Sequence, residues 1–550
     1  MRYMFGNPGT VEQGFLDALA DSPDLRYVLT LQESVAVMIA DGYARATQKP
    51  ALVQLHSTPG VGNGIGALYQ AKRGHSPLVV IGGDAGVRYM GMDAQMAGDL
   101  VALAEPVTKW STMVVDPASL LRVLRRAIRI AATPPMGPVY VCLPMDVLDA
   151  PSVEPVRPTS MPSTRVTPDE ALIVQAARML GSATRPMIFV GDGVAYSGAQ
   201  DELARVAEIL GAEVWEADAG EVNMSYSHPL YMGMTGHMFG ENSRPIMRKG
   251  DALLVCGTYL LPEVFPEIGD IFSPEAKVVH IDLNLYEIAK NHRVDLPMLG
   301  DPKQSLAALA RALTAAMTPA QKRAAADRAA HCAAQKDAKQ RADAQSDQAD
   351  RGKAPLKMAR FMEQFAAALP KDAIVFDEAL TSSPAVVRYL PPQRTGDYFL
   401  TRGGSLGVGI PGAIGVKLAN PDRTVVGFTG DGGAMYTIQA LWTAARHNVD
   451  AKFVVCNNGS YRLLQMNIDT YWKERDIPRH DYPLSFDLSA PPLRFDVMAT
   501  GMGVRSVRVE KASEIGPAIR QALGHHGPFL IDLVLEGETH PDRVGNTCGQ

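Results

Sequence analysis

The sequence predicts an α/β protein of three doubly wound parallel-sheet domains. Three observations lead there. The 550 residues suffice for about three domains of ordinary size. Short, continuous runs of apolar and β-branched residues recur along the chain, each closed by Gly, Asn or Asp, as in strands buried on both faces. Helix-like stretches separate these runs, as crossovers between parallel strands require.

Composition narrows the function. Apolar residues make up 46%, ample for large cores, and the net charge is −6 with acids and bases interspersed, which argues against nucleic acid as the partner. The five cysteines, Cys142, Cys256, Cys332, Cys456 and Cys548, form no CxxC pair, so neither a zinc site nor a disulfide framework is expected. No apolar run is long enough to span a bilayer and no signal peptide precedes Phe5, so no membrane association is expected and a cytoplasmic enzyme is the default reading.

The first domain, residues 1–155, opens with a strand at Met1–Phe5 and a Gly6-Asn7-Pro8-Gly9 turn. A second strand from Tyr27 delivers Glu33 to the mouth of a helix, where an acid complements the helix dipole. Strand Ala51–Leu55 leads to His56, with Gly60, Gly62 and Asn63 read as a loop whose backbone approaches a ligand. Strands at Leu78–Gly82 and Pro138–Leu143 flank a helical stretch, Pro117–Ala132. Five prolines between Pro151 and Pro168 mark an extended linker. The second domain, 165–318, shows strands at Met187, Leu253 and Lys277, and its Gly191-Asp192-Gly193 reads as a turn. Residues 319–352 are a helical linker: Gln321–Asp350 is rich in helix formers and nearly free of large apolar residues.

The third domain, 353–540, holds the most informative stretch. Strand Thr424–Thr429 runs into Gly430-Asp431-Gly432-Gly433; a helix-like run follows, then strand Ala451–Cys456 and Asn457-Asn458-Gly459-Ser460. Asp431 and Asn458 thus stand at carboxyl ends of neighbouring strands, where parallel sheets bind ligands. A carboxylate and an amide oxygen, with a backbone carbonyl nearby, suit a hard cation such as Mg²⁺ that shares phosphate oxygens. Gly430 and Gly432 let the backbone come close to a diphosphate.

This arrangement resembles the diphosphate-binding motif of the thiamine diphosphate enzymes, the family of acetolactate synthase and benzoylformate decarboxylase. The likeness covers nearly the whole chain. It names the domains pyrimidine-binding, central and diphosphate-binding, and implies thiamine diphosphate and Mg²⁺ as cofactors. It makes Asp431, the Asn458 side chain and the main-chain oxygen of Ser460 the metal ligands, with Gly430, Gly432, Gly433 and Tyr461 at the cofactor. Glu33, followed by Ala40 to Arg45, matches the glutamate that bonds the aminopyrimidine and so promotes loss of the thiazolium C2 proton. Thr381 and Ser382 offer hydroxyls to the diphosphate. Gly404 and Leu406 lie in the loop whose large apolar residue holds the cofactor bent.

Phe5–Gly9 and Leu55-His56-Ser57 resemble benzoylformate decarboxylase more closely than acetolactate synthase, which places Thr10 and His56 at the substrate. Thr10 adds a methyl group to the family's serine. A helix normally precedes the first strand in this family. The family's second catalytic histidine has no counterpart in Tyr259–Val264, and Glu263 and His237 are noted as candidate neighbours. Leu463–Asn467 is more polar than the aromatic stretch of the decarboxylase, and a long insertion, Asn467 to Arg494, is expected beyond it. The resemblance implies decarboxylation of a small 2-oxo acid to an aldehyde, with a carboligase as the alternative. It also implies a homo-oligomer, dimer or tetramer, with active sites between subunits. Some members bind FAD or ADP in the middle domain; FAD is the less expected cofactor here.

Overall fold

The structure, a computed structural model, describes residues 1–151, 154–217 and 219–544. Cys548 lies outside them; the other four cysteines are free and buried. No helix among the described residues is long and apolar enough to cross a membrane.

Three six-stranded parallel sheets organise the chain. The first holds β1 (Tyr3–Gly6), β2 (Arg26–Leu29), β3 (Ala51–Leu55), β4 (Leu78–Asp84), β5 (Trp110–Met113) and β6 (Val139–Pro144), in the order β2-β1-β3-β4-β6-β5. The second holds β7 (Pro186–Val190), β8 (Glu213–Glu216), β9 (Tyr231–Met234), β10 (Ala252–Cys256), β11 (Lys277–Asp282) and β12 (Leu296–Leu299), in the order β12-β11-β10-β7-β8-β9. The third holds β13 (Ile374–Glu378), β14 (Tyr398–Leu400), β15 (Val425–Gly430), β16 (Ala451–Asn457), β17 (Arg505–Val509) and β18 (Phe529–Val534), in the order β14-β13-β15-β16-β18-β17. The expected fold class is therefore the observed one. The first and third sheets share one strand order although their sequences show no fixed repeat. In both, the order reverses between the first strand and the third, β1/β3 and β13/β15, which is where doubly wound sheets open a crevice.

Six helices matter for the site: α1 (Glu33–Thr47), α2 (Ser57–Arg73), α3 (Pro319–Asp350), α4 (Gly409–Ala419), α5 (Asp431–Thr437) and α6 (Arg462–Glu474). The glycines after His56 lie inside α2, so the expected ligand-approaching loop is a helix that begins at Ser57. Part of the expected insertion after Asn467 is likewise helical, in α6. The charged Gln321–Asp350 stretch belongs to the 32-residue α3, whose Thr318 and Gln321 form a reciprocal cap. It is anchored by Ala325 and Cys332, both buried, and by Lys336, whose ammonium donates to the carbonyls of Tyr226, His228 and Tyr231.

One cluster of buried apolar side chains runs continuously from the first sheet to the third. Its centre is the crossing of α1 and α4. A Cβ on Gly42 would strike the carbonyl of Gly412, and one on Gly415 would strike that of Ile39, so only glycine lets the two backbones meet.

Candidate active site

Glu33 is the first residue of α1 and is 6% exposed. Both carboxylate oxygens are occupied by amide donors. Asn7, in the turn after β1, donates to Oε1 at 3.1 Å, and Asn63 of α2 donates to Oε2 at 3.0 Å. Gly60 explains how α2 comes so near: a Cβ there would stand 3.3 Å from Glu33 Oε1. The glycines assigned to a loop thus serve a helix whose first turn packs on a carboxylate. A carboxyl gripped from both sides keeps one orientation, as a proton-exchanging group must.

His56 directly follows β3 and is the N-cap residue of α2. Its Nδ1 lies 3.0 Å from Oε2 of Glu12. Glu12 is 2% exposed, and its Oε1 also accepts the N–H of Gly83 at 3.0 Å. Burial raises the Glu12 pKa, while His56 and the backbone N–H groups of Gly83 and Gly9 pull it back. With Nδ1 facing a carboxylate, the ring is fixed and Nε2 is its other end. Gly9 packs on this ring, leaving no room for a side chain. Sequence reasoning missed Glu12, since nothing marks an acid in Gly9–Glu12 as a partner for residue 56. Thr10, two residues before it, is exposed.

In the third sheet Asp431 follows β15 and is 3% exposed. Its Oδ1 accepts the Gly432 N–H at 2.8 Å, and its Oδ2 accepts that of Gly459 at 2.7 Å. Burial raises its pKa to about 6, opposed by backbone N–H groups of Gly432, Gly459, Asn458 and Ser460. Asn458 Oδ1 accepts from the N–H and hydroxyl of Ser460 at 2.9 and 3.1 Å. The Ser460 carbonyl accepts the Arg462 N–H at 2.9 Å, which leaves it one lone pair. Gly432 lies against the Tyr461 ring, where a Cβ would not fit. Asn457 is a strut instead, donating to Leu493 O at 3.1 Å and Asp532 Oδ1 at 2.9 Å. Among the described residues no three His, Cys, Asp or Glu side chains cluster as a metal site. The donors here are one carboxylate, one amide and one carbonyl. A buried carboxylate neutralised only by backbone dipoles fits a hard divalent cation.

Thr381 and Ser382 lie in a short 3-10 turn after β13, half-buried. Asp377 shapes that turn by accepting from Ala379 N–H at 2.7 Å and Ser383 Oγ at 2.9 Å. Gly404 is exposed and Leu406 half-buried in the segment before α4. Gly430 is half-buried, Gly433 buried. Glu378, which sequence reasoning passed over, is fully buried beneath this segment. Its Oε1 accepts from Gly407 and Val408 at 2.6 and 3.2 Å, and its Oε2 from Gly409 and the Thr429 hydroxyl at 2.7 and 3.0 Å. Burial raises Glu378 to about 7 against those four donors. It ends β13, at the crevice of the third sheet that corresponds to Asn7 after β1. That topological equivalence was the signal that could have found it.

His237 and Glu263, the candidate neighbours for the place of the second histidine, lie on adjoining segments of the central domain. The Val264 N–H donates to the His237 carbonyl at 3.2 Å, and Ser243 Oγ donates to Glu263 Oε1 at 2.5 Å. Beyond the carboxyl ends of β7, β10 and β11 lies a cavity of about 580 Å³, with Asp192, Thr258, Asn284 and Arg402 in its wall. Burial, with Arg45 and Arg73 nearby, lowers Arg402 to about 9.

Comparison with known proteins agrees with this layout. Residues 1–103 match the family described as thiamine pyrophosphate enzyme, N-terminal TPP binding domain; 173–309 match its central domain; 381–533 match its C-terminal TPP binding domain. The chain is 30% identical over 534 residues to benzoylformate decarboxylase of Pseudomonas aeruginosa, covering 96% of this chain and 95% of that one. It is 29% identical over 553 residues to a probable acetolactate synthase large subunit of Methanocaldococcus jannaschii, covering 98% and 90%. A solved 4-hydroxybenzoylformate decarboxylase of Rhodococcus jostii superposes with TM-score 0.82 at 27% identity, covering 98% and 97%. On both sequence and fold, the chain belongs to the thiamine pyrophosphate enzymes, the family that holds benzoylformate decarboxylase and acetolactate synthase.

Proposed function

We propose that this enzyme decarboxylates a small 2-oxo acid without oxidation and releases an aldehyde. The observation that carries the reading is the Glu12–His56 pair, a ring fixed at Nδ1 by a buried carboxylate at 3.0 Å. Names of relatives lend support from both sides, benzoylformate decarboxylase at 30% identity and acetolactate synthase at 29%.

When bound, thiamine diphosphate supplies a carbon nucleophile and an electron sink for the electrons left as carbon dioxide departs. The chain's own groups do the rest. Glu33, oriented by Asn7 and Asn63, exchanges a proton with the aminopyrimidine ring. Asp431, Asn458 and the Ser460 carbonyl would hold Mg²⁺, whose charge would offset that of the diphosphate. Thr381, Ser382 and the backbone of Gly430, Gly432 and Gly433 would receive the diphosphate, Tyr461 packs on Gly432, and Gly404 and Leu406 would support the cofactor from the segment before α4. His56, held at Nδ1, presents Nε2 as the proton carrier for the carbon that loses its carboxylate, and Thr10 borders the substrate. FAD has no step here, because non-oxidative decarboxylation moves no electrons out of the substrate. We place the active sites between the subunits of a homo-oligomer, dimer or tetramer, in the cytoplasm.

The second reading is a carboligase, favoured by the acetolactate synthase relatives and by the lack of a histidine in Tyr259–Val264. Incubation with aromatic, aliphatic and hydroxylated 2-oxo acids, with and without an acceptor aldehyde, decides. Free aldehyde from the 2-oxo acid alone supports the decarboxylase. Products formed only as ketols overturn it.

A further inference from the structure

The Gly191-Asp192-Gly193 stretch at the end of β7 has no part in the reading above, yet Asp192 is only 4% exposed. Its Oδ1 accepts the N–H groups of Gly220 and Glu221, each at 3.0 Å, and its Oδ2 accepts the Gly220 N–H at 3.1 Å and pairs with the guanidinium of Arg402. The stem of Arg402 lies against Gly220, where a Cβ would displace it. The Gly220 carbonyl in turn accepts Arg45 Nη2 at 2.7 Å and the Leu400 N–H at 2.8 Å. Arg45 belongs to α1, Asp192 and Gly220 to the central domain, and Leu400 and Arg402 to the third. All three domains therefore meet at one buried polar junction.

Arg402 opens directly into the cofactor segment. Gly403 and Gly404 follow it with φ of 75° and 76°, a region open to glycine at little cost. Two such glycines give the chain no preferred direction of their own. The far end is fixed by Glu378, which holds the N–H groups of Gly407, Val408 and Gly409. The near end is fixed by Arg402, and a buried guanidinium stays put only where a carboxylate answers its charge.

We propose that Asp192 is a positioning residue for the cofactor: through Arg402 it sets the path of Gly403–Leu406, and so the place of the Leu406 side chain. This rests on the reading of that segment as the cofactor loop. The assignment goes beyond the turn that sequence analysis sees, and it gives the central domain a part in the chemistry.

The test uses Asp192→Asn, which keeps size and an acceptor oxygen but removes the charge facing Arg402, and Arg402→Gln, which approaches the contact from the other side. In the cofactor-free chain, amide hydrogen exchange of residues 400–410 should quicken roughly tenfold or more in each, the worth of a charge-assisted hydrogen bond. Strands β7 and β16 should exchange as before; a loss of global stability would speed them too. The double variant should loosen the segment no further than either single one. In the loaded enzyme, C2-proton exchange of the bound cofactor should slow about tenfold, while KM for the 2-oxo acid stays within about twofold. Unchanged exchange at 400–410 in both variants, or additive effects in the double variant, overturns the tie. A looser segment with unaltered C2-proton exchange overturns the positioning role. Leu406→Ala separates the two layers: if it leaves C2-proton exchange untouched, the cofactor-loop reading fails rather than the Asp192 contact. Should Asp192→Asn not fold, Arg402→Gln alone decides the exchange measurement.

Discussion

Glu12 and His56 form a bonded pair across the first domain, Oε2 to Nδ1 at 3.0 Å, with the acid buried and the ring only 17% exposed. A ring so held has one face of its chemistry spent on orientation and the other free for protons. His56→Ala should therefore cut decarboxylation by roughly 10²-fold or more, the usual worth of general acid–base catalysis. C2-proton exchange on the cofactor, which asks no proton of His56, should survive. Glu12→Gln should give a large share of the same loss, and the double variant should be little worse than His56→Ala, because the two act as a unit. Exchange and turnover falling together in His56→Ala would reduce the histidine to a structural role.

Glu33→Gln should keep the cofactor bound yet lose turnover by about 10²–10⁴-fold. The amide retains the size of the acid, but its NH₂ faces one of the two asparagine donors, so either Asn7 or Asn63 must turn its own amide. Stopped-flow turnover alongside calorimetric cofactor binding checks this. A variant with wild-type turnover would remove Glu33 from catalysis.

Asp431→Ala should abolish Mg²⁺-dependent binding of thiamine diphosphate. Asp431 is the only carboxylate in its donor set, and a site without it would lose the cation whose charge offsets the phosphates. Titration calorimetry with and without chelator gives the answer: equal affinity in wild type and variant would exclude the site.

Glu378 sets a pH dependence on stability. Burial raises its pKa in the folded chain from 4.5 to about 7. The folded state therefore binds this proton more tightly than the unfolded one, and the group's contribution is full below about 4.5 and is lost as pH rises to about 7. Glu378→Gln removes that titration. Thermal unfolding of both cofactor-free chains should show wild type losing ground to the variant across this window and holding level above it. Parallel curves from pH 4 to 8 would mean that Glu378 does not titrate there, and flat behaviour of the pair would sink the prediction.

Strands were legible where burial on both faces leaves an unbroken apolar run, as in β10 or β15. The edge strands β5, β9, β12, β14 and β17 were not, since one-sided exposure mixes their composition, although the edge strand β2 was; β8 was missed inside its sheet because its four residues include two acids, Glu213 and Glu216. Asp431 and Asn458 were legible as neighbours because each follows one of two adjacent parallel strands, β15 and β16, a spacing the chain displays. Glu12, Glu378 and Arg402 were missed for the opposite reason. Each acts on a residue between 29 and 210 positions away, as Glu378 on Gly407 and Arg402 on Asp192, and no local pattern announces such a partner. The glycines after His56 misled because glycine permits both a loop and a helix packed tightly on a neighbour, and only the nearby Glu33 carboxylate tells which.

The glycine-lined crossing of α1 and α4 has a consequence for exchanging parts among relatives. Gly42 and Gly415 admit no side chain, because a Cβ on Gly42 in the first domain would strike the Gly412 carbonyl in the third, and one on Gly415 in the third would strike the Ile39 carbonyl in the first. A hybrid gene that takes its first domain from one parent and its third from another also takes the two halves of this crossing from different parents. One methyl group on either half forces the helices apart, and Glu33, nine residues or roughly 13 Å before Gly42 along α1, is carried with them. The two helices are thus a single unit of inheritance, and a breakpoint that separates them must carry the glycines of both.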